Sequence, residues 1–384
     1  MTPTVPSLHG VRVLDLSRIL AGPFCAMLLA DLGAEVIKIE DPAGDDSRLF
    51  GPFVNGDSAY YRLFNRGKFG ITLDLRRHEG ADQFVRLARR ADVVIENFRP
   101  GVMERLGLPV TRLLHENPRL TVLSITGFGQ HGPLRDAPAY DLIAQAMSGL
   151  MSVTGWPDGQ PTRTGVSLGD LIPGLYGALA TVASLHERIR TGHGQHIDLA
   201  MLDSLISVLE SVGMRALHEL EEPVATGNDH AMTAPFSTYP TKDGSIAIAV
   251  SNDKLFGRLA TALDRQQWLG DRRFANYADR DPNRQALRDE MVAAMSALTT
   301  DEVLDRLSSH GVPASKVLSV REALDQDHVR ARQLVVTEPD GFQTLGSPMR
   351  LTGSVPPRAA PGLGEHNAML SSWLEEPERS GREV

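Results

Sequence analysis

Along the first 130 residues, unbroken apolar runs alternate with stretches in which apolar positions recur every three or four residues. "VRVLDLS", from Val11, and "AEVIKIE", from Ala34, are short runs of the buried-strand kind. Between them, "GPFCAMLLADLG" predicts a helix with Pro23 in its first turn and Gly33 at its stop. The alternation continues through strand "FGITLDL", helix "GADQFVRLARRA", strand "DVVIENF", helix "PVTRLLHENP" and strand "LTVLSITGFG". Apolar strands separated by helices imply an α/β fold with a doubly wound parallel sheet covered on both faces. Helices "DLIAQAMSGLMSVTG", from Asp141, and "DLIPGLYGALATVASLHERIRTG", from Asp170, follow. "GQHIDLAMLDSLISVLESVG" then gives a short strand and one long helix. The pattern breaks at "EEPVATGNDHAMTAP". Beyond it, "FSTYPTKDGSIAIAV" reads as a hairpin, and helices are expected at about 253–264, 283–298 and 301–309, a smaller α+β module. "LVVTEP" and "PMRLTG" are strand-like, and the tail "EEPERSGREV" is expected to be mobile.

Composition narrows the function classes. A length of 384 residues suits two domains. The one cysteine, Cys25, excludes an intrachain disulfide and a cysteine-based metal cluster, and makes a reducing cytoplasm the default location. A net charge of -9 argues against non-specific nucleic-acid binding. The first 120 residues carry +1 and the remainder -10, so the first third is the part suited to an anionic ligand. "ILAGPFCAMLLADLG" is too short, and too interrupted by Gly22, Pro23 and Asp31, to span a bilayer, so no membrane association is expected.

Among the motifs, "GFGQHG" places Gly127, Gly129 and Gly132 in the spacing of a dinucleotide fingerprint. That fingerprint must open into a helix, whereas "PLRDAPAYD" follows with Pro133 and Pro138. The glycines still permit close approach of the backbone to a ligand, and the loop could offer N–H groups to a developing oxyanion. Glu40 ends the first crossover unit, where a ribose-binding acid would sit, but "SRILAGP" lacks the matching glycines. His193 and His196 have no neighbouring acid that would complete a metal site, and no metal is expected. Asp170 stands at the head of an otherwise apolar segment. It is either an N-cap or a functional carboxylate, the latter acting as general base or as nucleophile.

Six stretches together, in order over nearly the whole chain, resemble one family. They are "DLSRILAGPFCAMLLADLGAEVIKIEDPAGDDSR", "NRGKFGITLDL", "ADVVIENFRPGVMERLGL", "SITGFGQHGPLRDAPAYDLIAQAMSGLMSVTG", "GDLIPGLYGALATVASLHERIRTGHGQHIDLAMLD" and "GNDHAMTAPFSTYPTKDGSIAIAV". They look like the class III coenzyme A transferases, the CaiB/BaiF family, which includes formyl-CoA transferase and α-methylacyl-CoA racemase. The resemblance implies an interlocked homodimer, with a large domain at 1–225 and 330–384 and a small one at 226–329. It implies that Asp170 is catalytic, and that Ser17, Arg18, Ile19, Lys38, Leu73, Arg76, Asn97, Phe98, Arg99 and Arg105 line the CoA site. Tyr140 and Asp141 match an aromatic–acid pair beside the reacting thioester, with Gly127 and Gly129 assigned to the substrate loop. CoA would be a substrate, with no tightly bound cofactor.

The implied reaction transfers CoA from an acyl-CoA to a free carboxylic acid through an aspartyl anhydride and an aspartyl-CoA thioester, with succinyl-CoA and a dicarboxylic acid as the suggested pair. Arg18 and Arg48 could meet a distal carboxylate. Two departures bear on this. Racemases of the family carry a histidine where this chain has Tyr140, which favours transfer over racemisation. "TGNDHAMTAP" is shorter and poorer in glycine than the flap of formyl-CoA transferase, so formyl or oxalate specificity is not expected. An α-methylacyl-CoA racemase or isomerase, and a non-catalytic CoA-binding protein, remain as alternatives.

Overall fold

A computed structural model describes residues 5–218, 222–351 and 358–377. The chain divides into two compact units, Met1–Leu150 with Arg163–Glu210 and His328–Val384, and Met151–Thr162 with Ser211–Asp327. The smaller unit therefore starts at 211, where the sequence pattern suggests 226, and also takes the excursion at 151–162.

The larger unit is built on strands β1 (Arg12–Asp15) and β2 (Glu35–Glu40), then a two-residue hairpin of β3 (Phe53–Val54) and β4 (Asp57–Ser58). After these come β5 (Lys68–Thr72), β6 (Val93–Glu96), β7 (Thr121–Thr126) and β8 (His196–Ala200). Six of these strands form one parallel sheet in the order β5-β2-β1-β6-β7-β8. β1, β6 and β7 are buried along their whole length, because helices cover both faces of the sheet. Strand order reverses beside β1, whose neighbours are β2 and β6. A doubly wound sheet opens a crevice at that switch point, beyond the carboxyl ends of its strands.

Helices α1 (Ala21–Asp31), α2 (Ala59–Asn65), α3 (His78–Ala88), α4 (Val102–Arg105), α5 (Val110–Glu116), α6 (Asp141–Met147), α7 (Leu168–Thr191) and α8 (Met201–Ser207) complete this unit. Phe84, Leu87 and Leu113 pack with Val94 and Trp373 on one side of the sheet. Leu29 and Cys25 pack with Val36, Leu123 and Leu185 on the other. The small residues of α7 have a steric purpose. A β-carbon at Gly174 would sit 2.9 Å from the Ala21 carbonyl, and one at Gly177 would sit 2.9 Å from Leu123, so only glycine lets α7 lie this close to α1 and the sheet. The edge strand β5 is covered by the C-terminal segment, where Gly70 N donates to His366 Nδ1 and Thr72 N to Asn367 Oδ1.

Several elements differ from expectation. α7 begins at Leu168, with Ser167 as its N-cap, so Asp170 is the third helical residue. α6 stops at Met147, and Gly149 follows with φ +82. The long helix expected after β8 breaks after Ser207; the next, α9 (Glu210–His218), opens on Glu210 at φ +54. "LVVTEP" supplies a strand (Val335–Thr337), but its partner is Gln343–Leu345, while 348–351 of "PMRLTG" is irregular. The last two residues of that motif, and 378–384 of the tail, lie outside the described residues. α7 is also long and apolar enough to cross a membrane by length and composition, a stretch that surpasses the one singled out in the sequence. Here it is a core helix of the sheet.

In the smaller unit, β9 (Phe236–Pro240), β10 (Ser245–Ala249) and β11 (Ala314–Lys316) form an antiparallel sheet. Ile246, Ile248, Phe256, Trp268, Met291 and Leu307 make its core. The expected hairpin is present, with Ser245 opposite Pro240.

Candidate active site

Two cavities of the larger unit lie at the switch point. The first, of about 170 Å³, is bordered by Leu16, Lys38, Glu40, Leu73, Arg76 and Leu106. The second, of about 270 Å³, is bordered by Ile19, Asn97, Arg99, Arg135, Tyr140 and Asp170. Arg18 and Phe98 border both.

The walls between them are set by a buried charge network. Lys38 and Lys68 are wholly buried, as is Asp15, and Asp45 nearly so. Lys68 Nζ donates to Asp15 Oδ2 (2.8 Å), Asn65 Oδ1 (2.9 Å) and the Pro23 carbonyl (3.0 Å). Lys38 Nζ donates to Asp45 Oδ2 (2.7 Å) and the Ser17 carbonyl (2.5 Å). Asp15 accepts from Ser17 N at 3.0 Å and from its hydroxyl. Asp45 accepts from Ile19 N at 3.2 Å and Ser47 N at 2.9 Å. Ile19 is thereby held at φ +68, a left-handed conformation that a β-branched residue rarely adopts. Burial alone would raise both acids, but the lysines outweigh it: Asp15 is held below the usual carboxylate range and Asp45 is lowered to about 2.

This changes the tasks expected of several residues. Lys38 borders the first cavity, yet its ammonium is taken up by Asp45 and the Ser17 carbonyl, so it fixes the loop that follows β1. Asn97 uses both ends of its amide on one neighbour: its Oδ1 accepts from Arg18 N (2.8 Å) and its Nδ2 donates to the Arg18 carbonyl (2.9 Å). It clamps the loop after β1 to the turn after β6. Ser17 is fully buried behind that loop. Glu40 accepts from Arg48 Nε (2.8 Å), Arg48 Nη2 (2.6 Å), Tyr61 Oη (3.0 Å) and Asp45 N (2.9 Å), which ties Arg48 to the protein through two of its nitrogens. Arg76 is 68% exposed at the rim, against Asp41 (3.0 Å) and Asp74 (2.9 Å). Leu73 and Phe98 give the first cavity apolar walls. Arg105 is exposed on α4 beside Gly101 and borders neither cavity.

The glycine-rich loop also has another task. Gly127 borders the second cavity, where an added β-carbon would sit 2.2 Å from Ala139; the glycine lets the loop pack on itself. Gly129 does not border it. Its N–H donates to Thr126 Oγ1 (2.9 Å), and Gln130 N donates to Asp198 (2.9 Å), so these two amides are not available to an oxyanion.

At the head of α7 the chemistry is different. Asp141, on the first turn of α6, is buried; it accepts from Gly169 N (2.9 Å), Gln145 Nε2 (2.8 Å), Arg163 Nε (3.1 Å) and Arg163 Nη2 (2.9 Å). Asp141 thus takes the helix N–H that Asp170 would otherwise have as a neighbour, and α7 has no side-chain cap. Among the described residues no donor hydrogen-bonds the Asp170 carboxylate, which faces the second cavity. Burial, with Asp141 adding to it, raises Asp170 to about 7, and Arg163 partly offsets this. The expectation of an N-cap fails on geometry. An ordinary, fully ionised aspartate is not found either.

Two nearby residues carry no sequence signal. Tyr60, on the unforeseen helix α2, borders neither cavity; burial, then Asp170 and Asp45, hold its phenol above the usual range. Arg135 borders the Asp170 cavity, and among the described residues adjacent Asp136, at 3.4 Å, is the acid against it. Glu96, at the end of β6, is raised to about 7 by burial and accepts from Phe98 N at 2.7 Å. It holds the turn that carries Phe98 and Arg99.

Comparison with known proteins supplies the identity. Residues 8–367 match the family model described as CoA-transferase family III. The chain is 39% identical to an acetyl-CoA:oxalate CoA-transferase of Acetobacter aceti, over 98% of this chain and 100% of that protein. It is 40% identical to a succinate–glutarate CoA-transferase of Agrobacterium fabrum, over 98% and 97% respectively. A crystal structure of a CaiB/BaiF family protein from Brucella suis superposes with a TM-score of 0.86, at 39% identity, covering 97% of this chain and 100% of that one. With a parallel sheet, two cavities that share Arg18 and Phe98 at its switch point and an uncommitted carboxylate in one of them, this chain belongs to CoA-transferase family III and is a CoA-transferase.

Proposed function

We propose that the enzyme moves CoA from an acyl-CoA to a free carboxylic acid through covalent intermediates on Asp170, with short dicarboxylic acids among its substrates. The observation that carries this is the Asp170 carboxylate, open to a cavity and hydrogen-bonded by no described residue. An Asp170 oxygen attacks the thioester carbonyl; the C–S bond breaks, CoA leaves as thiolate, and an aspartyl–acyl anhydride remains. The thiolate attacks the aspartyl carbonyl, the C–O bond breaks, and the donor acid leaves an aspartyl-CoA thioester. The acceptor carboxylate then displaces the thiolate, which attacks the acceptor's acyl carbon and regenerates Asp170. Charge is conserved at every step, and the route calls for no bound cofactor. Poor hydration suits the carboxylate to this role, since confinement against the acyl carbon offsets its weak nucleophilicity.

In this reading the coenzyme lies across the two cavities, which share Arg18 and Phe98. The nucleotide end belongs in the first, beside Arg76, and the chain passes Arg18 and Phe98 to place the sulfur near Asp170. Arg99 and Arg135 border the reacting cavity and offer cations to a second carboxylate. Oxalate and glutarate in the relatives' names accord with that. The outer side of α7 exposes Leu175 (49%) and Leu179 (66%), and α6 exposes Leu142, Ile143 and Met147. Such an apolar face supports an interlocked homodimer, for which a solution mass of two chains is the check. A cytoplasmic site of action accords with Cys25 as a buried free thiol.

A second reading, α-proton transfer in a racemase, draws on the same value near 7, which suits a general base. Tyr140, 67% exposed, stands where a partner base would be needed. Peptide mass analysis after incubation with succinyl-CoA separates the two. Transfer adds acyl or CoA mass to the Asp170 peptide; racemisation leaves it unmodified and puts solvent deuterium on the α-carbon. An unmodified peptide together with an active Asp170→Ala enzyme overturns the transfer reading.

A further inference from the structure

Arg163 belongs to no part of the expected site. It lies in the polar stretch before α7, seven residues ahead of Asp170. Its guanidinium makes two contacts to Asp141 Oδ2, at 3.1 and 2.9 Å, and a third to Ser167 Oγ, the N-cap residue of α7, at 3.2 Å. Asp141 uses its other oxygen on Gly169 N (2.9 Å) and Gln145 Nε2 (2.8 Å), and Gln145 Oε1 in turn accepts from Thr164 N (3.0 Å). A β-carbon at Gly169 would lie 3.0 Å from Asp141, so the acid is seated directly on the helix start. The segment from Arg163 to Gly169 is thus fastened to α6 at both ends, with Asp170 the next residue.

The charges around Asp170 come from several elements. Asp141 is on α6, Arg163 precedes α7, and Tyr60 is on α2. Arg18, with Asp46 against it, and Arg99, Arg135 and Tyr140 border the cavity itself. Of the two acids, only Asp141 has an arginine in contact.

We propose that Arg163 is a positioning residue for the transfer reaction: it neutralises Asp141, and the pair fixes the first turn of α7 so that Asp170 can carry a negative charge beside a second carboxylate. Without Arg163, two neighbouring acids share one site, and like charges disfavour ionisation of both. The proposal rests on the transfer reading, in which ionised Asp170 is the attacking group.

The test is the pH profile of kcat/KM for succinyl-CoA with a dicarboxylic acceptor. Arg163→Gln moves the acid limb up by about one pH unit, so activity at pH 7 falls about fivefold, approaches a tenfold deficit below about pH 6, and the deficit closes towards pH 9. Arg163→Lys keeps the limb near its wild-type position. Asp141→Asn, which still accepts from Gly169 N but carries no charge, moves it down. A loss by the same factor at every pH, or no change in R163Q, overturns the proposal. Should R163Q fail to fold, D141N decides, and an unmoved or raised limb counts against the proposal. A carboxyl carbon-13 titration of aspartate-labelled protein, with the Asp170 signal assigned from its loss in D170N, reads ionisation without turnover. The same order of variants in that titration, with no CoA transferred, sinks the transfer reading and leaves this inference standing. Transfer with R163Q titrating like wild type does the reverse.

Discussion

Asp15 and Asp170 are both acids placed where the sheet of the larger unit opens, and the fold treats them in opposite ways. Asp15 is fully buried, yet two lysines and the Ser17 hydroxyl hold it in its charged form. Asp170 is less buried, no described donor reaches its carboxylate, and it is held near neutral pH. The first region builds walls: every formal charge in it is answered by another, and the result is a rigid loop with Ile19 in a strained conformation. The second region withholds that answer from one group. Charge satisfied on all sides positions; a carboxylate left unsatisfied beside a cavity is the candidate for chemistry.

The comparison can be broken most severely at Asp170. Asp170→Asn should lower CoA transfer by on the order of 10³-fold or more while the folded state persists, checked by assay beside circular dichroism. Asp15→Ala should do the opposite. Leaving Lys68 buried without its anion costs about 3–5 kcal/mol, so the urea midpoint falls and activity goes with the fold. An inactive but fully stable D15A would contradict the structural role.

A smaller effect separates the two acids by pH. Because Asp170 is raised to about 7, wild-type kcat/KM should climb between about pH 6 and 8. Stability should run the other way. The folded-state value lies above the unfolded one of about 3.9, so the native state binds the extra proton between those values. The contribution of Asp170 to stability is then greatest below about pH 4 and is lost as pH rises through 7. D170N removes that decline, so it should melt a few degrees above wild type at pH 8, with the gap closing by about pH 4. The smallest effect belongs to the rim. Arg76→Ala should raise KM for the acyl-CoA only a few-fold with kcat unchanged, since solvent screens an exposed arginine.

Much of this was legible in the chain. Apolar runs at Val11, Asp92 and Leu120 predicted strands that are buried throughout, and the run at Ala34 one that is buried beyond Glu35, because helix cover on both faces removes any polar alternation. The same runs said nothing of α2 or its preceding hairpin, since "FVNGDSAYYRLFN" carries no apolar period of its own and is ordered by contact with its neighbours. Asp170 was singled out as an N-cap or a functional carboxylate, and the structure removes the first of these. A charge beside a helix start reads as a cap, whereas here Gly169 N is taken by an acid from another helix. Lys38 and Asn97 stood in stretches matched to coenzyme binding, and the fold turned both towards the protein.

Local periodicity and residue type were enough for the parallel sheet and the alternation of its helices, and they marked Asp170 as a candidate. Tertiary structure decided which charges are answered. Ion pairs such as Lys68 with Asp15, or Arg163 with Asp141, join residues 53 and 22 positions apart, and a carboxylate's reactivity depends on which partners the fold brings to it or keeps away.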